Sequence, residues 1–209
     1  MDLGTGTGQS VLRAARREPD ALFVGVDPDA AALREASHAA ARAARRGGPP
    51  NVLFLVESAE ALPGPLAGRA DLVTIALPWG SLLRGLLSAD VSLLHAVSAL
   101  LKPSGEIELL LSTTPTDGAS VLLHTDEDAR ALARAYESAG LSVAGWRAAT
   151  SEDVARLSSS WGRRLGIPER RTAWIFQLGI GPATGLGNES AMSRVTAPTT
   201  EEVLESGVW

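Results

Sequence analysis

Two acidic residues stand where a bound ligand would meet them. Asp2 opens the segment Asp2-Leu3-Gly4-Thr5-Gly6-Thr7-Gly8, and Asp27 closes the apolar run Leu22–Asp27. Three glycines spaced two apart read as a strand-to-helix turn where the backbone passes close to a ligand and adopts positive φ. The spacing Gly4-x-Gly6-x-Gly8 departs from the G-x-G-x-x-G dinucleotide fingerprint, and the strand before it ends in a carboxylate. A carboxylate there would repel a pyrophosphate but suits an ammonium group. Asp27 is placed to accept hydrogen bonds from two ribose hydroxyls. The plainer alternative, a bare glycine turn and a helix-capping aspartate, leaves two acids at matching strand ends unexplained.

A second set of residues is suited to holding a flat acceptor. Leu77-Pro78-Trp79-Gly80-Ser81 follows one apolar run, and Ser158-Ser159-Ser160-Trp161-Gly162-Arg163-Arg164 precedes the last one. One tryptophan on each side of a pocket would sandwich an extruded base, as base-modifying enzymes require. Arg163, Arg164, Arg170 and Arg171 would then supply phosphate contacts. Cover for the core and a solvated charge run remain open as readings of the tryptophans and arginines. Glu60, in Glu57-Ser58-Ala59-Glu60, is placed to reach the cofactor edge or the acceptor. It reads equally well as a solvated acid favoured by a helix dipole.

These residues need a scaffold, and the pattern supplies one. The apolar runs Leu22–Asp27, Val52–Val56, Leu72–Leu77, Ile107–Leu111, Leu141–Ala148 and Trp174–Leu178 read as strands. Helical patterns lie over Gln9–Arg17, Ala30–Arg46, Val91–Leu101 and Asp126–Ala139. Near-continuously apolar strands separated by helices predict a doubly wound, Rossmann-like α/β domain around a parallel sheet. Asp29 is the expected cap of the second helix. Pro103 with Gly105, and Gly140, are the expected stops of the third and fourth. Only Met1 precedes Asp2, so the first strand, central in such a sheet, is expected to be truncated. Residues 1–180 are expected to form the domain, and 181–209, rich in Gly, Pro, Ser, Thr and Glu, a flexible tail.

Composition narrows the function classes. The 209 residues fit one domain, and the absence of cysteine excludes a disulfide scaffold and a thiolate metal site. It fits a reducing, cytoplasmic setting. No apolar run approaches the roughly 18 residues of a membrane span. The net charge of −5 argues against a generic nucleic-acid coat protein. Four acids and one arginine give the 181–209 segment −3, leaving −2 on the remainder, with arginines bunched in two places. That balance suits recognition of one structured RNA surface by shape. His38, His95 and His124 read as surface or packing residues, and no metal is expected.

The two strand-end acids resemble those of class I S-adenosylmethionine-dependent methyltransferases. DLGTGTG, VGVDP, Arg46–Val52, AEALP, LPWGSLL and SSSWGRRLG resemble, in order and approximate spacing, one family among them. That family is the 16S rRNA methyltransferases that modify N1 of decoding-site adenine 1408 and confer kanamycin–apramycin resistance; the likeness spans roughly residues 2–178. The resemblance implies that Asp2, Gly4, Thr5, Gly6, Asp27, Pro28, Ala59, Glu60 and Leu77 hold S-adenosylmethionine. It implies that Trp79 and Trp161 stack on a flipped adenine, with Pro78, Ser81 and Ser159 shaping the pocket. Arg42, Arg45, Arg46, Arg163, Arg164, Arg170 and Arg171 would hold rRNA phosphates of the 30S subunit, bound by a monomer. The sequence departs from the family in lacking a strand-rich N-terminal extension, in Glu169 among the arginines, and in its last segment. Ser58 stands where many class I enzymes carry an aspartate for the adenine amino group, so that recognition is expected from the backbone at Ala59 and apolar contacts. A small-molecule methyltransferase of specialised metabolism and a non-catalytic binder of cofactor or rRNA are the alternatives.

Overall fold

In the computed structural model, which describes residues 1–42, 44–117, 121–157, 162, 165–167 and 170–181, the apolar runs pair into one seven-stranded sheet. Its strands are β1 (Asp2–Leu3), β2 (Phe23–Val26), β3 (Val52–Leu55), β4 (Ala70–Ala76), β5 (Leu101–Leu111), β6 (Leu141–Ala148) and β7 (Trp174–Ile180). They lie in the order β3-β2-β1-β4-β5-β7-β6. The helices are α1 (Gln9–Arg17), α2 (Ala30–Ala40), α3 (Gly80–Leu87), α4 (Val91–Ser98), α5 (Asp126–Ser138) and α6 (Ser151–Leu157). The expected doubly wound α/β fold is therefore present. Of the expected 181–209 segment, only Gly181 lies within the described residues.

The two-residue β1 is central: Asp2 is in register with Gly25 of β2 and Thr74 of β4. Both faces of the sheet are covered, and Leu3, Val26, Val73, Ile75, Ile107, Leu109 and Leu111 are almost fully buried. The sheet is parallel from β3 to β5, but β7 runs antiparallel to both β5 and β6. The register gives the cause. Ala148, the last residue of β6, pairs with Trp174, the first of β7, so the chain re-enters at the edge it left and must run back. The helix α6 thus stays at that edge and does not cross a face.

Local signals held where they were chemical. Oδ1 of Asp29 accepts from the amides of Ala31 (2.8 Å) and Ala32 (3.1 Å), capping α2. Gly140 takes φ +94° beyond the end of α5. Two expected helices are shorter than their patterns. The pattern to Arg46 breaks after Ala40 and resumes as a 3-10 turn at Ala44–Arg46. Here the chain folds back so tightly that a Cβ on Gly48 would meet the Arg42 carbonyl oxygen. The pattern to Leu101 ends at Ser98, and Leu101 already belongs to β5. Pro103 and Gly105 do not stop a helix; they lie in a strand irregularity where Ala70 pairs with Leu101 but Leu72 with Glu106. The pattern missed α3 and α6 altogether.

Asn51 ties three segments at the far side of the sheet. Its Nδ2 lies within hydrogen-bond distance of the carbonyls of Ala15 (3.0 Å), Glu18 (3.0 Å) and Ala21 (2.8 Å). Replacing it leaves those α1-end carbonyls without their donor. Asn51→Ala should lower stability by about 1–3 kcal/mol, seen as a lower urea midpoint at unchanged slope.

Candidate cofactor and acceptor site

The carboxylate of Asp2 is held by hydroxyls from three different elements. Oδ2 accepts from Thr5 Oγ1 (2.8 Å) in the glycine turn and Ser10 Oγ (3.0 Å) in α1. Oδ1 accepts from Thr74 Oγ1 (3.0 Å) in β4. Burial pushes its carboxyl above the ordinary aspartate range, and the Thr5, Ser10 and Thr74 hydroxyls pull it partly back. Such a group gains most from a positive charge brought close to it. Ser10 and Thr74 had not been singled out in the sequence. For Thr74 the available signal was a lone hydroxyl in the apolar run Leu72–Leu77.

Asp27 closes the other side of the turn. Its Oδ2 accepts the Gly6 amide (2.7 Å) and its Oδ1 the Asp29 amide (2.9 Å). The amides of Gly4 and Thr5 bond the Val26 carbonyl at 2.8 and 3.1 Å, which fixes the turn to β2. Gly8 has φ +66°, and a Cβ on it would lie 2.6 Å from the Phe54 ring and 2.8 Å from Ala36. Only glycine serves there.

These groups line a cavity of about 400 Å³ at the carboxyl ends of β1, β2 and β4. Asp2, Gly4, Thr5, Gly6, Asp27, Pro28, Ala59, Glu60 and Leu77 all border it, as do Pro78, Trp79 and Ser81. Every expected cofactor residue and three of the five acceptor residues are thus brought to one place. Glu57 and Ser58 border it too, as does Leu157, the last residue of α6, which the sequence reading missed. Leu77 has φ +52° and Gly80 φ +62°, so the chain turns sharply on either side of Trp79. A leucine in the left-handed region is strained; burial of its side chain and the Leu110 carbonyl bonding its amide (2.8 Å) hold it there. Trp79 remains 48% exposed at the rim. Ser159 and Trp161, with Arg163 and Arg164, lie outside the described residues.

The arginines divide. Arg42, Arg45, Arg46 and Arg170 are exposed. Arg171 is partnered within the fold: its side chain is only 11% exposed and its Nη2 pairs with Asp117 Oδ2 at 2.6 Å. Its Nε and Nη2 also donate to Ser112 Oγ (2.7 Å) and the Ser112 carbonyl (2.9 Å). In this conformation Arg171 ties β5 to the entrance of β7. Its sequence neighbours suggested a phosphate ligand, but its partners lie more than fifty residues away. His38, His95 and His124 are all exposed, and among the described residues no three His, Asp or Glu side chains cluster as metal ligands would. No helix among those residues is long and apolar enough to cross a membrane.

A cavity of this volume suits a nucleoside-sized ligand. A buried carboxylate at one end and an acid beside a glycine turn at the other fit a ligand that joins an ammonium to a ribose. Class I S-adenosylmethionine-dependent methyltransferases place that donor in this way, and this chain is an enzyme of that class. It belongs to the 16S rRNA (adenine(1408)-N(1))-methyltransferase family, whose model, described as NpmA, matches residues 1–180. A 16S rRNA (adenine(1408)-N(1))-methyltransferase of Streptoalloteichus tenebrarius is 36% identical over 171 residues, 79% of each chain. The enzyme of that name from Catenulisporales acidiphilia, solved as a tryptophan-to-alanine variant with its cosubstrate SAM, superposes with TM-score 0.76 at 30% identity. The match covers 88% of this chain and 87% of that one. The aminoglycoside resistance methyltransferase NpmB1 gives TM-score 0.71 at 34% identity over 86% and 85% of the two chains.

A cationic ligand favours the ionised form of Asp2, so its binding should release a proton wherever the free carboxyl is protonated. S-adenosylmethionine affinity should therefore fall as pH drops through the raised pKa. Calorimetry across acidic pH should show this fall in the wild type. Asp2→Asn should bind at least about tenfold more weakly, consistent with 1.4 kcal/mol or more for a charged hydrogen bond, and with no such pH dependence.

Proposed function

We propose that this chain transfers a methyl group from S-adenosylmethionine to N1 of adenine 1408 of 16S rRNA, acting as a cytoplasmic monomer on the 30S subunit and conferring aminoglycoside resistance. The observation that carries this is the shared wall of the cavity. Trp79 stands at its mouth, and Leu157 borders it only four residues before Trp161, a reach of at most about 14 Å of chain. A second indole reaching the same cavity from beyond Leu157 would hold a planar base against Trp79. Family membership supports this reading over a small-molecule methyltransferase or a non-catalytic binder.

When bound, S-adenosylmethionine supplies an electrophilic methyl group on a sulfonium. Asp2 would hold its ammonium and Asp27 its ribose hydroxyls, with the backbone near Ala59 beside the adenine. Adenine N1 carries a free lone pair, so no side chain has to remove a proton before attack. The cavity's described lining fits that demand: its only ionisable groups are Asp2, Asp27, Glu57 and Glu60, and none stands beside Trp79 in sequence. Orientation is then the main contribution of the chain. Trp79 and Trp161 would fix the ring plane and favour it as it becomes cationic, worth about 0.5–2 kcal/mol per contact. Pro78, Ser81 and Ser159 would shape the pocket. Arg42, Arg45, Arg46, Arg163, Arg164 and Arg170 would meet phosphates and set the docking register.

Trp79→Ala and Trp161→Ala should each reduce methyl incorporation into 30S subunits by about a hundredfold or more, the scale of a misplaced reactant. S-adenosylmethionine affinity should stay near the wild-type value in calorimetry. Wild-type incorporation by either variant would remove that tryptophan from the clamp. Arg46→Glu should weaken 30S binding and reduce the slope of log affinity against log salt by about 1; an unchanged slope would place Arg46 off the RNA face.

A further inference from the structure

A row of polar side chains crosses four neighbouring strands of the sheet. Asp2 is in register with Thr74, Thr74 with Glu108, and Glu108 with Gln177, so all four share one face on neighbouring strands. Asp2 and Thr74 belong to the cofactor site. Glu108 does not border the cavity, is only 8% exposed, and sits in the middle of β5. Its two oxygens are taken by Arg156 of α6, with Nη1 to Oε2 at 2.8 Å and Nη2 to Oε1 at 2.6 Å.

The same helix is held from its other end. Asp153, 5% exposed, receives the guanidinium of Arg147 from β6, with Nη2 to Oδ1 at 2.7 Å. Asp153 Oδ2 also accepts the amide and hydroxyl of Thr150, both at 2.8 Å, which fixes the first turn. Seven residues are too few for a helix to persist unaided. Two bidentate arginine pairs to two strands instead set both its place and its rotation. Val154 and Leu157 then pack in a small apolar cluster with Leu77, the residue that leads into Pro78 and Trp79. The chain leaves α6 at Leu157, on the cavity wall, and proceeds to Trp161.

We infer that Glu108 and Arg156, with Asp153 and Arg147, are positioning residues for methyl transfer: they fix α6, and through Leu157 and the cluster under Leu77 they hold the cavity wall beside Trp79. The inference rests on the proposed clamp of Trp79 and Trp161. An ion pair on a buried carboxylate adds little stability over an apolar pair of similar volume, but a bidentate one admits few geometries. An orienting role therefore separates from a merely structural one.

The test replaces both partners together, Glu108→Leu with Arg156→Met, so that no charge is left buried. Methylation of 30S subunits, S-adenosylmethionine binding and thermal unfolding are measured on the full chain. The expected result is an unfolding midpoint and cofactor affinity near wild type, an unchanged KM for 30S, and a kcat lower by about tenfold to a hundredfold. Wild-type kcat in this variant overturns the inference. Arg156→Lys keeps the charge but loses the fork that grips both oxygens, and its half-exposed side chain makes it safe for folding. It should lose kcat several-fold with stability and cofactor affinity intact. A wild-type kcat in Arg156→Lys likewise overturns the inference, and decides it should the double variant fail to fold. If the wild-type chain incorporates no methyl group into 30S, the proposed function itself fails, and this inference with it.

Discussion

The buried carboxylate of Asp2 is the constraint that the rest of the site answers to. A charge near the middle of an apolar sheet is costly unless it is hydrogen-bonded. Thr5, Ser10 and Thr74 supply those bonds from the turn, α1 and β4. Three elements are thereby locked around one atom pair. The hydroxyls leave the carboxyl raised, so a cation still has much to offer it. This is why the turn favours an ammonium-bearing donor over a dinucleotide. Asp27, bonded to the Gly6 amide, holds the opposite side of the turn.

The acceptor side is built differently. Pro78, Trp79 and Ser81, which border the cavity, lie on the chain leaving β4, beyond the last residue of that strand. Strained backbone at Leu77 turns Trp79 outward, and the cluster beneath Leu77 includes Leu110 of β5, Val154 and Leu157 of α6 and Ile175 of β7. The antiparallel β7 follows from the same arrangement, since α6 stays at the carboxyl edge and the chain returns from there.

What could be read in the sequence was what local chemistry dictates. Asp2 and Asp27 stood out as candidate cofactor residues because two acids fall at matching strand ends, one of them opening a glycine turn. Asp29 and Gly140 marked helix ends because a cap and a left-handed residue are local requirements. The signal failed where tertiary contacts decide. α6 is only seven residues long and is held by Glu108, 48 residues away on β5, and by Arg147 at the end of β6, so no periodicity announced it. α3 starts at Trp79 without a side-chain cap, so its beginning carries no local mark. The partners of Arg171, Asp117 and Ser112, are equally invisible in its arginine-rich stretch, because they lie more than fifty residues away. Thr74 looked like one polar residue in an apolar strand; only its register with Asp2 shows its purpose.

The central claim is that this site brings an unprotonated ring nitrogen of one adenine to the methyl donor with no base to assist. The most direct measurement is mass-spectrometric mapping of 16S rRNA from 30S subunits incubated with the wild-type chain and isotopically labelled S-adenosylmethionine. The account predicts a single labelled 1-methyladenine at position 1408. Label on the exocyclic amine of that adenine, on another nucleotide, or nowhere in the rRNA would contradict it.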